Sequence, residues 1–417
     1  MNVSIDRHTP CPEKTDMIQE MERDVAVSER NYQRVSKGLI HISEDEAHIS
    51  HEVDCLTWIE RMEKIAKRIA SGNGKPFRLH RSSPGPLNHK GSGYTLTSLG
   101  TAIWDLCRSG VPMIELASPK SRYKAALTTS LVPIIKGDEL AHTEEMKVQF
   151  NPHITVMLRA CQRSMPVIKA HGGYDLDLRD ARIRDKLDWI VRFVRRACQS
   201  KRFRLMESRR TKLEKQNLKS FCRYMAAGFY QYSCLLLLRV DLYIRPTHKT
   251  SEDIRIAEKC LQLYLRALES NRIVPNVIRR ICKRECGFDR GMHYHLLIAM
   301  DGHKHQNASH FSRMLGEAWV RRCGPLRASY FNCYVRRFEY KYNALGSVNV
   351  RDLMMLLGIR EAIRYLVKGD GFVMTGHKRN LTKGIMPSRR QQPKRGAPRK
   401  ASNDMSLVNE ILGNVEA

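Results

Sequence analysis

In the stretch GMHYHLLIAMDG, residues 291–302, His293 and His295 stand one residue apart at the head of an apolar run. On a strand, alternate residues share a face, so the two imidazoles would point together with or without a metal. PNVIRRICKRECG, 275–287, reads as the strand before it, and a turn at Phe288-Asp289-Arg290-Gly291 would bring Glu285 alongside. Two imidazoles and one carboxylate leave coordination positions open for oxygen ligands. Such a site suits Mg²⁺ or Mn²⁺ gripping a phosphate, with Glu285 and the substrate's own oxygens supplying the hard ligands that imidazole is not.

Plainer readings stand beside this one. Strand alternation alone produces His-x-His, and a second pair, His303 and His305 in DGHKHQ, falls in a polar stretch and reads as solvated. Cys282, Cys286, His293 and His295 also compose a zinc set, though without a CxxC knuckle.

The second group lies in EAIRYLVKGD. On a helix over 352–371, Glu361, Tyr365 and Lys368 share one stripe, while Leu353, Leu356, Leu357, Ile363 and Val367 face the core. A tyrosine presented in this way is a poor nucleophile near neutral pH, because its reference pKa is about 10. A nearby metal and a lysine would be needed to favour the phenolate or the charge of the transition state. An exposed amphipathic tyrosine with a solvated lysine is the plainer alternative. Taken together, Glu285, His293, His295, Tyr365 and Lys368 are the parts for metal-assisted phosphoryl transfer to tyrosine, giving a 5′-phosphotyrosine and a free 3′-OH.

The elements that would position these residues follow from periodicity. CLLLLRVDLYI, 234–244, suits a buried strand, and a helix capped at Thr250 or Ser251 follows it. After the two strands of the histidine hairpin come a helix at 307–323, an alternating strand at 330–342 (YFNCYVRRFEYKY) and the tyrosine helix. The order is β-α-β-β-α-β-α, an α+β class with a ferredoxin-like split βαβ sandwich. The expected organisation is a charged helical segment at 1–70, a Gly/Pro/Ser-rich linker at 71–93, a basic helical region at 94–224, the catalytic domain at 225–378 and a basic flexible tail at 379–417. The basic region includes one long helix at 179–216.

Lys and Arg number 72 against 43 Asp and Glu, a net charge of +29 in 417 residues. That balance points to a polyanion, and with no amphipathic anchor beside it, to nucleic acid rather than a membrane. No apolar run is long enough to span a bilayer and the opening residues lack a signal peptide's apolar core, so the expected compartment is the cytoplasm. Twelve scattered cysteines read as reduced and mostly buried. No GxxxxGK[ST] motif occurs, so strand unwinding would come from a partner.

MHYHLLI, GIREAIRYLVKGD and KRNLTKGIMP together resemble the HUH superfamily of single-strand nicking enzymes. The region from about 225 to 388 looks closer still to the YagK/YfjJ C-terminal domain of inovirus-type replication proteins from filamentous phages and prophages. That resemblance implies His293 and His295 as metal ligands with Glu285 as the third, Mg²⁺ or Mn²⁺ as cofactor, Tyr365 as nucleophile and Lys368 as its helper. It implies rolling-circle replication initiation on single-stranded DNA or an origin hairpin, with a host helicase and polymerase as partners. The rival expectations are a non-cutting DNA-binding or regulatory prophage protein of the same fold, and a zinc-stabilised nucleic-acid-binding module.

Overall fold

The computed structural model describes residues 40–42, 47–49, 52–79, 93–112, 114, 148–171, 178–244, 251–287, 291–368, 374–375, 380–385 and 405–413. The Thr250 cap, the turn at 288–290, the linker at 80–92 and the tail at 386–404 lie outside them.

A long antiparallel sheet carries the histidines. Strand β1 (Cys234–Ile244) is followed by α1 (Ser251–Glu269), β2 (Val277–Gly287) and β3 (Gly291–Asp301). Then come α2 (Ala308–Cys323), β4 (Ala328–Asn332), β5 (Gly346–Asn349), α3 (Leu353–Val367) and β6 (Leu381–Lys383). The sheet order is β5-β1-β3-β2-β6, and β4 shares the β1 edge with β5. Every pairing is antiparallel. The chain is therefore α+β, with β3 between β1 and β2.

Alternation divides the sheet into two faces. Leu236, Leu238, Val240 and Leu242 of β1 and Tyr294, Leu296, Ile298 and Met300 of β3 pack with Tyr264 and Leu268 of α1 and Leu315 and Trp319 of α2. Leu235, Leu237, Leu297, Ala299 and Ile281 point the other way, toward Leu356, Leu357, Ile363 and Leu366 of α3. Each such side chain, fully buried, contributes roughly 1.5–3 kcal/mol. Because both faces are covered, β1 and β3 read as near-continuous apolar runs rather than as a clean alternation.

The strand expected over 330–342 is interrupted. β4 pairs with Val240–Ile244 of β1 and β5 with Cys234–Leu237, so one strand's path is split in two. Between the halves, Cys333–Glu339 form a 3-10 helix. Asn332 starts it, its side chain accepting a hydrogen bond from the backbone N–H of Tyr334 at 3.1 Å. The apparent alternation of YFNCYVRRFEYKY concealed that cap.

The N-terminal helices build a second core, with Ile59, Met62, Ile103, Ile154, Met157, Leu187, Ile190 and Phe203 among its buried residues. The long basic helix expected over 179–216 is two helices, Ala181–Gln199 and Lys201–Phe229, broken at Ser200. Ser200 is extended, and its hydroxyl caps the second helix by accepting from the N–H of Phe203 at 3.2 Å. The second helix belongs to both cores, Phe203 at one end and Phe221 to Phe229 at the other. The expected linker contains a short strand, Phe77–Leu79, paired with Tyr94–Leu96. Parts of the expected tail are built into the fold: β6 extends the sheet beside β2, and Leu407, Val408, Ile411 and Leu412 are buried in the α3 core. Among the described residues no helix is long and apolar enough to cross a membrane.

Candidate metal centre

Three cross-strand rows place charged groups on the α3 side of the sheet. Asp241 of β1 and Lys283 of β2 flank His295 of β3, and Tyr243 and Glu285 flank His293 in the next row. Arg239 stands one row further in, opposite Leu297. Residues directly opposite one another share a face, so this register gathers all of these side chains beyond the apolar contacts of α3.

Glu285, His293 and His295 offer ligand atoms that all lie within 4.8 Å of one another. Oε2 of Glu285 is 3.1 Å from Nε2 of His293 and 3.1 Å from Nε2 of His295. The Nε2 of His295 is buried, with the Glu285 carboxylate as its polar neighbour. Nδ1 of His295 lies 2.7 Å from Oδ1 of Asp241, which fixes the ring and directs Nε2 toward Glu285. Ligand atoms of one bound ion with bonds of about 2.1 Å stand roughly 3 Å apart, so this convergence could hold a metal ion. The residues that would hold the ion are Glu285, His293 and His295, with Asp241 supporting from behind.

Burial opposes charging His295, but the carboxylates of Asp241 and Glu285 outweigh it and raise its pKa to about 9. Burial would likewise raise Asp241, yet the Arg239 guanidinium and His295 hold it down to about 2. Glu285 is also disfavoured by burial as an anion, and Lys283 followed by His295 brings it well below the usual carboxylate range. Lys283 makes its contact at 2.7 Å from Oε1. Arg239 is 2 % exposed and Asp241 0 %. A buried pair of this kind often stabilises no better than apolar residues of the same size.

Tyr365 reaches this cluster from the last turn of α3. Its ring lies edge-on to His295 with centroids 5.9 Å apart. The Arg239 guanidinium is 5.0 Å from the ring centroid and the Lys283 ammonium 5.7 Å. The ring is half-buried. Asp352 caps the helix, accepting from the N–H of Met355 at 3.0 Å, and Gly358 lets it press against the chain at Asn343, where a Cβ would meet the Asn343 carbonyl oxygen at 2.1 Å.

The expected stripe of Glu361, Tyr365 and Lys368 does not form. Glu361 is 2 % exposed and paired with Arg364. The turn at 405–413 and the Lys201–Phe229 helix close over the side of α3 that an amphipathic reading leaves to solvent. Lys368 has left the helix; its N–H still reaches the Arg364 carbonyl at 3.0 Å, and its own carbonyl accepts from Lys283 at 3.3 Å. The lysine whose ammonium stands over the tyrosine ring is Lys283. Asp241, Arg239 and Lys283 are not marked in the sequence by any motif; the one signal is Arg239 and Asp241 at alternate positions in an otherwise apolar strand.

The zinc set is not assembled. Cys282 is buried on the opposite face of β2, in the cluster with Tyr294 and Leu296, where burial pushes its thiol up to about 11. The side chain of Cys286 lies outside the described residues. His303 and His305 are engaged elsewhere, His303 with Ser233 and His305 with Asn276, each at 2.9 Å.

Residues 196–354 match the family model of the YagK/YfjJ C-terminal domain. The matched span is under half of the chain; it holds Glu285, His293 and His295 and stops before Tyr365. No curated protein and no solved structure matches the chain.

Proposed function

We propose that the chain is a metal-dependent, site-specific single-strand DNA endonuclease and strand transferase of the HUH type that initiates rolling-circle replication of a phage, prophage or plasmid. The observation that carries this reading is the edge-on approach of Tyr365 to His295, 5.9 Å between centroids, beside three convergent ligand atoms. The sheet order also supports it: β3 separates β1 from β2 and β1 separates β3 from β4, so both βαβ units are split, as in a ferredoxin-like sandwich. The match of residues 196–354 supports the family, and the net charge of +29 supports a nucleic-acid substrate.

In this reading the tyrosine oxygen attacks a backbone phosphorus in line. The P–O3′ bond breaks, the phosphate stays on Tyr365 as a 5′-phosphotyrosine, and the leaving 3′ oxygen takes up a proton. Mg²⁺ or Mn²⁺ bound by Glu285, His293 and His295 would supply charge stabilisation at the phosphate. Lys283 and Arg239, both close to the tyrosine ring, would favour its phenolate. Lys368, just past the helix end, would act as a helper. A host helicase and polymerase would extend the freed 3′-OH.

A specific observation favours a second reading, a non-cutting relative that binds DNA: Lys283 already sits 2.7 Å from Glu285 and can neutralise it without a metal. The two readings part when the chain is incubated with 3′-labelled single-stranded oligonucleotides of varied sequence. Cutting gives label that co-migrates with the denatured chain in Mn²⁺ and not in chelator; the second reading gives none in either.

A further inference from the structure

The 3-10 insert at Cys333–Glu339 exposes apolar surface that the chain itself leaves uncovered. Phe338 is 81 % exposed and Val335 66 %. These side chains are not on a loose loop: Asn332 caps the insert at one end, and Cys333 at its base is fully buried. The guanidinium of Arg337 stands 3.8 Å from the Phe338 centroid and 4.2 Å from that of Tyr334, and it donates to the Tyr334 carbonyl at 3.2 Å. One side of the Phe338 ring is thus backed by a fixed cation. Exposure of 81 % leaves the other side to solvent.

The base of the insert, at Cys333, lies against Asp241 behind His295. The insert continues from β4, where Phe331 stands opposite Asp241 and Ser329 opposite Tyr243. In CYVRRFEYKY Arg336 is ion-paired with Glu339, and Arg337 and Lys341 leave the segment net positive, which favours an anion there. An exposed ring backed by arginine, on a basic segment, is an arrangement on which an unpaired nucleobase can stack. We infer that Phe338 is a stacking platform for one base of a bound single strand, the neighbouring phosphates being met by the cations of the insert. This deepens the single-strand reading above and rests on it.

The test uses the full chain and fluorescein-labelled dT15, with a fifteen-unit abasic deoxyribose-phosphate strand as control, read by anisotropy at fixed salt. The expected result is that Phe338→Ala weakens dT15 binding about five- to a hundred-fold, leaves abasic-strand binding and the thermal midpoint as in the native chain, and does not alter the slope of log K against log salt. Phe338→Trp restores binding. Equal dT15 affinity in native and Phe338→Ala chains overturns the inference while leaving the endonuclease reading intact, and would assign the exposed ring to a protein contact. A native chain that does not bind dT15 also overturns the stacking inference, and the endonuclease reading then stands or falls on the covalent-adduct assay alone. A changed salt slope overturns the stacking role in favour of an electrostatic one.

Discussion

Asp241 holds His295 from behind: its Oδ1 lies 2.7 Å from Nδ1, so the opposite nitrogen, Nε2, faces Glu285 at 3.1 Å. The contact joins β1 to β3 within a single cross-strand row, and it gives a buried carboxylate with no exposure a reason to be in the sheet.

Replacing that carboxylate while keeping its shape separates its two effects. Asp241→Asn should lower Mn²⁺ affinity about 10- to 100-fold, because the ring loses the partner that fixes its tautomer. It should also cost about 3 kcal/mol or more of stability, since Arg239 is left buried without its anion. Calorimetric titration and chemical denaturation read the two quantities. Unchanged metal affinity would mean that the contact is purely structural.

The pH dependence has a definite sign. His295 is raised from its ordinary value to about 9, so in the metal-free chain its ion pairs stabilise fully below about pH 6.5. That contribution is lost as pH rises through about 9. Asp241 works at the other end: lowered to about 2, it contributes above its unfolded pKa and its contribution fades as pH falls toward 2. A metal needs the neutral imidazole, so Mn²⁺ affinity should climb close to tenfold per pH unit between 7 and 9, with about one proton released. Titrations in two buffers of different ionisation enthalpy count that proton. A flat affinity over this range contradicts the assignment of His295 as a ligand.

Gly358 tests whether the placement of α3 matters. Gly358→Ala would drive a methyl group into the Asn343 backbone, so the helix must shift. The expected outcome is a loss of about 1–3 kcal/mol and a marked fall in covalent adduct. Metal affinity should hold within twofold, because the three ligands lie on strands held to one another by their own ladder. Loss of metal binding in this variant would show that the sheet and helix are not separable in this way.

Metal removal should leave the fold in place. The cores on the two faces of the sheet are apolar, and Cys282 is buried away from the histidines. Chelator should therefore leave the far-ultraviolet circular dichroism unchanged and lower the thermal midpoint only by the linkage due to bound metal. Cooperative unfolding on chelation would favour a structural zinc instead.

The histidine hairpin could be read from sequence because its parts are local. Glu285 and His293 are eight residues apart, and a tight turn with strand alternation is enough to set them opposite one another, as the register has them. Asp241 is more than fifty residues from His295, and its position depends on β3 inserting between β1 and β2. Local periodicity carries no information on that pairing. The interruption of the fourth strand was hidden because a 3-10 helix of alternating aromatic and basic residues resembles an edge strand. Glu361 was misplaced because the helix face expected to meet solvent is covered by residues 405–413, nearly fifty positions downstream.

Tyr365→Phe should retain the ring's place beside His295 and bind Mn²⁺ within twofold of the native chain. The most direct measurement is peptide mapping by mass spectrometry of the covalent species formed with single-stranded DNA and Mn²⁺. The expected result is a nucleotide on Tyr365, absent from Tyr365→Phe. An adduct on Tyr340 or Tyr342, an adduct that survives Tyr365→Phe, or no adduct with any strand would contradict it.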